Sequence, residues 1–219
     1  MTVITVSRMY GSGGDEIVDR VCQMTGYQRF DKDLVAMVAI EAGLTEQDIA
    51  DFSEDDYKDK GFMDRLLGRS RPLGAVKVWR EHMDGSRFPV SVPVDEGEAL
   101  LMVQKVILAA SRLGDWVIVG RGGQVVLKDA EDALHLRIEA PMDYRLQRVM
   151  TDQSLDQRQA QALINEKDST SAAYLRRFYN VDWDDPSLYH FVINTARMDE
   201  DLAARSIAAL ASCRKPVEA

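Results

Sequence analysis

Val3-Ile4-Thr5-Val6-Ser7-Arg8-Met9-Tyr10-Gly11-Ser12-Gly13-Gly14 opens on a β-branched run over residues 2–6 that breaks into a glycine-rich turn. Ile17, Val18, Val21 and Cys22 then recur at helical spacing, so the order is strand, loop, helix. Glycine lets consecutive backbone N–H groups turn inward, and the helix behind the turn adds the positive end of its dipole. That geometry suits a di- or triphosphate, which makes Ser7, Arg8, Gly11, Ser12, Gly13, Gly14, Asp15 and Glu16 candidate nucleotide-binding residues. The loop departs from a complete Walker A pattern. Counted back from Gly13, the first glycine position holds Arg8, the lysine position holds Gly14 and the Ser/Thr magnesium position holds Asp15. A tight turn without a ligand is the plain alternative.

Outward from this loop, short apolar runs alternate with helical periods. Tyr27 to Phe30, Trp116 to Val119, Ala133 to Ile138 and Phe191 to Asn194 read as further strands. Helices are expected from Leu34 to Ala42, Glu98 to Leu113, Met142 to Met150 and Asp199 to about Cys213. Another, reaching Tyr179, follows Ser154-Leu155-Asp156-Gln157, which has capping-box spacing. Five strands separated by helices predict an α/β fold whose parallel sheet is covered on both faces, with ligands at the carboxyl ends of the strands. The loops at residues 7–14, at Asp31 and at residues 120–123 all follow strands and converge on that edge. Residues 45–97 break the rhythm: no strand pair is evident, and Phe88 to Pro93 is extended by its two prolines. They read as an insertion in a single domain spanning residues 1–219.

The totals narrow the class. A formal net charge of −9 argues against a nucleic-acid partner, whose phosphate backbone calls for clustered Lys and Arg. Two cysteines, Cys22 and Cys213, suggest neither a disulfide framework nor a metal knuckle, so a cytoplasmic protein is expected. No run approaches the ~20 apolar residues that span a bilayer. His82, His135 and His190 lack metal-ligand spacing, and Trp79, Trp116 and Trp183 read as packing anchors.

The opening block resembles that of the cytidylate kinase-like family, which also has a lysine-free loop. The likeness continues through Phe30-Asp31-Lys32-Asp33-Leu34, Val117-Ile118-Val119-Gly120-Arg121-Gly122, Arg176-Arg177-Phe178-Tyr179, Asp182-Trp183-Asp184-Asp185-Pro186 and Val192-Ile193-Asn194-Thr195. It implies a three-layer P-loop kinase fold with a helical monophosphate-binding insertion at residues 45–97 and a mobile lid at residues 152–180. It also implies ATP-dependent phosphorylation of a nucleoside monophosphate, CMP or dCMP foremost. In that reading Arg121 and Asp31 hold the acceptor, Arg8 stands in for the lysine, and Mg²⁺ bridges the phosphates with Asp15 aiding through water.

Lys167, Asp168, Arg176 and Arg177 are the catalytic candidates of the lid. There the sequence departs from the family, because Ser169 and Ser171 occupy positions where arginines are expected. Such arginines stabilise charge on the transferring phosphoryl group. Two other readings therefore stand beside the kinase: a nucleotide-binding sensor or scaffold with little turnover, and a kinase of a small non-nucleotide metabolite.

Overall fold

The computed structural model describes residues 2–30, 74–81, 87–94 and 96–213. Asp31, the helix expected over residues 34–42, most of the expected insertion, the arginines at 65, 69 and 71, and His82 lie outside the described residues. Strand β1 (Val3–Arg8) runs into helix α1 (Gly14–Thr25), followed by β2 (Gln28–Phe30), β3 (Gly74–Glu81), β4 (Arg87–Val94) and α2 (Glu96–Leu113). Then come β5 (Trp116–Val119), the single turn α3 (Gly123–Val126), β6 (Ala133–Glu139), α4 (Met142–Gln153), α5 (Gln157–Tyr179), a 3₁₀ turn at Pro186–Leu188, β7 (Phe191–Asn194) and α6 (Glu200–Cys213).

Five of these strands form one sheet in the order β2-β5-β1-β6-β7, and every neighbouring pair is parallel. Each crossover must pass over a face of the sheet, so helices cover both faces. The period-2 alternation of the strands sorts the core. Ile4, Val6, Val119, Leu134, Leu136 and Ile138 meet Ile17, Val21 and Ile207 of α1 and α6. Val3, Ile118 and Ala133 face the other way, onto Val103, Ile107 and Ala110 of α2. The result is the expected three-layer α/β architecture. The chain steps from β1 outward to β2, returns to β5, then crosses β1 to reach β6, and such a reversal opens a crevice at the strand ends.

Three local expectations are corrected. β3 and β4 form an antiparallel pair where the sequence showed no strand pair. Pro89 and Pro93 lie four residues apart, hence on the same edge of β4, and a two-stranded ribbon leaves one edge of β4 without a ladder to disrupt. The capping box of α5 is Asp156 with Gln159, both reciprocal bonds being present, and Ser154 instead ends α4 in a left-handed conformation. β1 extends to Arg8, which places Ser7 and Arg8 in the strand and leaves residues 9–13 as the turn. Among the described residues no helix is long and apolar enough to cross a membrane.

Candidate active site

The turn after β1 is built to expose its backbone. Gly11 and Gly13 adopt left-handed φ of 76° and 79°, and Gly13 is the N-cap of α1 with no side chain closing the helix end. The first-turn N–H groups are therefore left for an anion. Surrounding elements hold the turn in this shape. Thr195, just past β7, donates its hydroxyl to the Ser12 carbonyl at 2.7 Å and so keeps that oxygen turned outward. Asp168 of α5 accepts the Tyr10 N–H at 3.0 Å, and Gln153 of α4 donates to the Tyr10 hydroxyl. Arg145, buried beneath the loop, donates to the Tyr10 carbonyl at 3.2 Å and to Asp168 at 2.5 Å.

A second turn leaves the neighbouring strand β5. Gly120, Arg121 and Gly122 all have positive φ, of 67°, 60° and 69°. For arginine this conformation is strained by roughly 1–2 kcal/mol, and strain of that size persists only where surrounding contacts impose it. Those contacts are visible: Gly123 N–H closes the turn onto the Gly120 carbonyl at 3.0 Å, and the Tyr179 hydroxyl donates to the Arg121 carbonyl at 3.2 Å. The Arg121 side chain is 2% exposed and lines the same cavity as the first turn.

That cavity has a volume of about 590 Å³. Among the described residues its lining carries five cationic side chains, Arg8, Arg29, Arg121, Arg148 and Lys167, against four acids, Asp15, Glu16, Asp152 and Asp168. Each acid is held by an arginine. Asp15 gives one oxygen to Arg8 Nε at 3.1 Å and the other to Arg29 at 2.6 Å. Burial pushes the Asp15 carboxyl up, but Arg8 and Arg29 together outweigh it and hold the group below its ordinary value. Arg148 bridges Glu16 at 2.8 Å and Glu200 at 2.6 Å, with Asp152 at 3.6 Å. Burial pulls the Arg148 guanidinium down, whereas Glu16 and Glu200 raise it well above its ordinary value. Ser12 contributes a different signal. It is fully buried, and its Oγ has no hydrogen-bond partner among the described residues. A hydroxyl in that state costs about 1–3 kcal/mol unless something meets it.

The expected site residues therefore divide. Arg8, Gly11 to Glu16, Arg121, Lys167 and Asp168 all line the cavity. Ser7 does not: its hydroxyl accepts the Trp183 indole N–H at 2.6 Å and anchors the 180–190 loop. Arg176 and Arg177 are exposed in the last turn of α5, nine and ten residues beyond Lys167, or about 14 Å along the helix at 1.5 Å per residue. They complement the helix's negative end. Ser171 faces the cavity in the expected arginine's place, while Ser169 turns its hydroxyl back to the Glu166 carbonyl at 2.9 Å. The sequence reading did not single out Arg29, Arg145, Arg148, Tyr179 or Thr195 as site residues. A signal existed for three of them. Arg145 and Arg148 are three apart on one helix face after β6, and Thr195 sits at the carboxyl end of a strand.

The family model for the cytidylate kinase-like family matches residues 3–197. The chain belongs to that family. It is 25% identical over 198 residues to the cytidylate kinase of Haloarcula marismortui, covering 90% of this chain and 82% of that one. It is 28% identical over 140 residues to the cytidylate kinase of Methanopyrus kandleri, covering 58% and 72%. The crystal structure of an uncharacterized protein from Eubacterium ventriosum superposes with a TM-score of 0.65 at 19% identity over 97% of this chain and 99% of that one, a likeness of fold. A cytidylate kinase-like family member with this sheet order is a phosphotransferase.

Proposed function

We infer that this cytidylate kinase-like protein transfers the γ-phosphoryl group of ATP to a nucleoside monophosphate, with CMP or dCMP the favoured acceptor. One observation carries the reading: the uncapped N-terminus of α1 and the buried Arg121 meet in a single cavity. The first can receive donor phosphates on backbone N–H groups, and the second offers an arginine fork, which pairs bidentately with the phosphate of an acceptor. The names of the curated relatives support cytidine as the base.

Catalysis in this arrangement is positioning and charge neutralisation. An acceptor phosphate oxygen attacks the γ-phosphorus, the bond to the bridging oxygen breaks, and ADP departs. The α1 N-terminus receives charge on the donor side, Arg121 orients the attacking phosphate, and Lys167 approaches from α5. Among the described residues the lining carries one more cation than acid, against the several negative charges of a triphosphate and a monophosphate. A divalent cation such as Mg²⁺, when bound, would supply the remaining neutralisation. The Ser12 hydroxyl fits a role beside it or beside a phosphate oxygen, while Asp15, with both oxygens given to arginines, is suited to orienting Arg8. Among the described residues no cluster of three metal-ligating side chains occurs, which fits a cation carried by the nucleotide. ATP as donor would place the activity in the cytoplasm. Residues 152–180 would act as the lid, and residues 45–97 and Asp31 would complete the acceptor side.

The serines at 169 and 171 favour a second reading, a nucleotide-binding module with slow or no turnover. The test is nucleoside diphosphate formation from Mg-ATP with CMP, dCMP, UMP, AMP and GMP, against an enzyme-free control. Selective product from CMP or dCMP is the expected result. Binding of ATP with no product from any acceptor would replace the kinase reading with the sensor or with a metabolite kinase.

A further inference from the structure

We propose that Arg8 and Gly14 are a matched pair, in which residue 14 is glycine because the stem of Arg8 lies across it, and Arg8 supplies the donor phosphates with the cation a lysine at 14 would bring. This rests on the reading that residues 9–14 hold the donor.

Gly14 is the first residue of α1, and unlike Gly11 and Gly13 it does not have a positive φ, so backbone conformation does not call for glycine there. Space does. A Cβ on residue 14 would stand 2.7 Å from Arg8 Cβ and 3.1 Å from Arg8 Cγ. These atoms are not the free end of a flexible chain. Arg8 is the last residue of β1, in register with Ile138 of β6, and the following N–H, of Met9, donates to the Ile138 carbonyl at 2.9 Å. The nearer contact is with Arg8 Cβ, which no side-chain rotation moves, so relieving the clash means shifting the central strand or having no Cβ at residue 8. A side chain at 14 and Arg8 in its present place are thus mutually exclusive.

What Arg8 does in that place follows from its surroundings. Its side chain is 16% exposed and lines the cavity beside the glycine turn. Asp15, one residue into α1, accepts from Nε at 3.1 Å, and Arg29 fixes the other Asp15 oxygen at 2.6 Å. Holding the Nε edge orients the plane of the guanidinium, whose terminal nitrogens form the fork that grips phosphate. Asp15 is then a positioning residue, acting through Arg8. An arginine entering from the strand and a lysine entering from the helix deliver one positive charge to the same loop by different routes. The missing lysine and the missing magnesium-binding Ser/Thr at residue 15 become one coordinated exchange.

The experiment is the equilibrium dissociation constant for Mg-ATP of the wild type, Arg8→Gly, Gly14→Ala and the Arg8→Gly/Gly14→Ala double variant, with a thermal unfolding curve for each. Arg8→Gly is expected to weaken binding about tenfold or more, as does loss of one charge-assisted contact. Gly14→Ala should weaken it similarly and lower the unfolding temperature. The double variant should bind no worse than Arg8→Gly and unfold no lower than Arg8→Gly, because with no Cβ at residue 8 the added methyl meets nothing nearer than Ser12 Oγ at 3.4 Å. If Gly14→Ala does not fold, the double variant still decides: a folded protein binding like Arg8→Gly supports the pair, and one that stays unfolded while Arg8→Gly folds overturns it. Arg8→Gly binding within twofold of the wild type, or losses that multiply in the double variant, would also overturn it. A wild type that binds no Mg-ATP overturns the donor-loop reading and this proposal together.

Discussion

The two glycine-rich turns at the heart of the cavity leave adjacent parallel strands, β1 and β5, and each leads into a helix, yet they present opposite chemistry. The first, residues 9–13, places left-handed glycines at 11 and 13 and offers its backbone; Arg145 of α4 and Thr195 hold the Tyr10 and Ser12 carbonyls aside, and Asp168 of α5 takes the Tyr10 N–H. The second, residues 120–122, uses glycines at its ends to carry a non-glycine residue through a left-handed conformation, and what it offers is the side chain of Arg121. A backbone nest is suited to the spread charge of a polyphosphate, and a single strained, buried arginine to one phosphate in one orientation. The proposed division of labour between donor and acceptor rests on that difference.

The comparison can be broken most forcefully at Gly122. A methyl there would collide with the Tyr179 ring, lying 2.8 Å from Cζ, while also occupying a φ of 69°. Gly122→Ala should cost about 2–4 kcal/mol, combining left-handed strain with overpacking. Gly26 provides the control, with a φ of 73° and nothing within 4 Å of the added methyl. Gly26→Ala should therefore cost only the strain, about 1 kcal/mol, and chemical denaturation of the two variants measures the difference. Equal losses would mean that the Tyr179 ring yields and does not brace the turn.

A smaller effect sharpens the first turn. Ser12→Ala removes a buried hydroxyl that has no partner among the described residues, so stability should stay level or rise by about 1 kcal/mol. Mg-ATP affinity should fall about tenfold, the worth of one hydrogen bond to a charged group. Lost stability with unchanged affinity would show that the hydroxyl serves the fold.

The smallest effect concerns Asp15, whose carboxyl is about half exposed, so its ion pairs are worth at most about 1 kcal/mol. Its value in the folded protein lies below the ordinary 3.8, so its contribution is present above that value and disappears as the pH falls below it. Wild type and Asp15→Asn should differ by a constant small margin between pH 5 and pH 8 and converge in acid below 3.8. A margin already shrinking near pH 6 would mean that another group controls it.

These particulars also show what a one-dimensional reading can reach. The strands around the site were legible because β-branched alternation is local, and the tight turn after β1 because a glycine run between a strand and a helix permits left-handed backbone. The β3–β4 pair was hidden by prolines at 89 and 93, which argue against a strand until its unpaired edge is known. The helix start slipped by two because Ser154 and Gln157 share the spacing of Asp156 and Gln159, and only the backbone shows Ser154 closing the preceding helix. Arg145 and Arg148 read as ordinary charges on a helix. Their roles come from partners at residues 10, 16, 168 and 200, which only the fold brings near. Arg176 and Arg177 were grouped with Lys167 as lid residues, and the rise of the helix sets them about 14 Å further along it.

The most direct test of the two-turn account is to measure dissociation constants for Mg-ATP and for CMP on the wild type and on Arg121→Ala. The account predicts that CMP affinity falls tenfold or more while Mg-ATP affinity stays within twofold. CMP binding left unchanged, or a loss that falls on Mg-ATP instead, would contradict the assignment of the acceptor to Arg121 and the division of labour built on it.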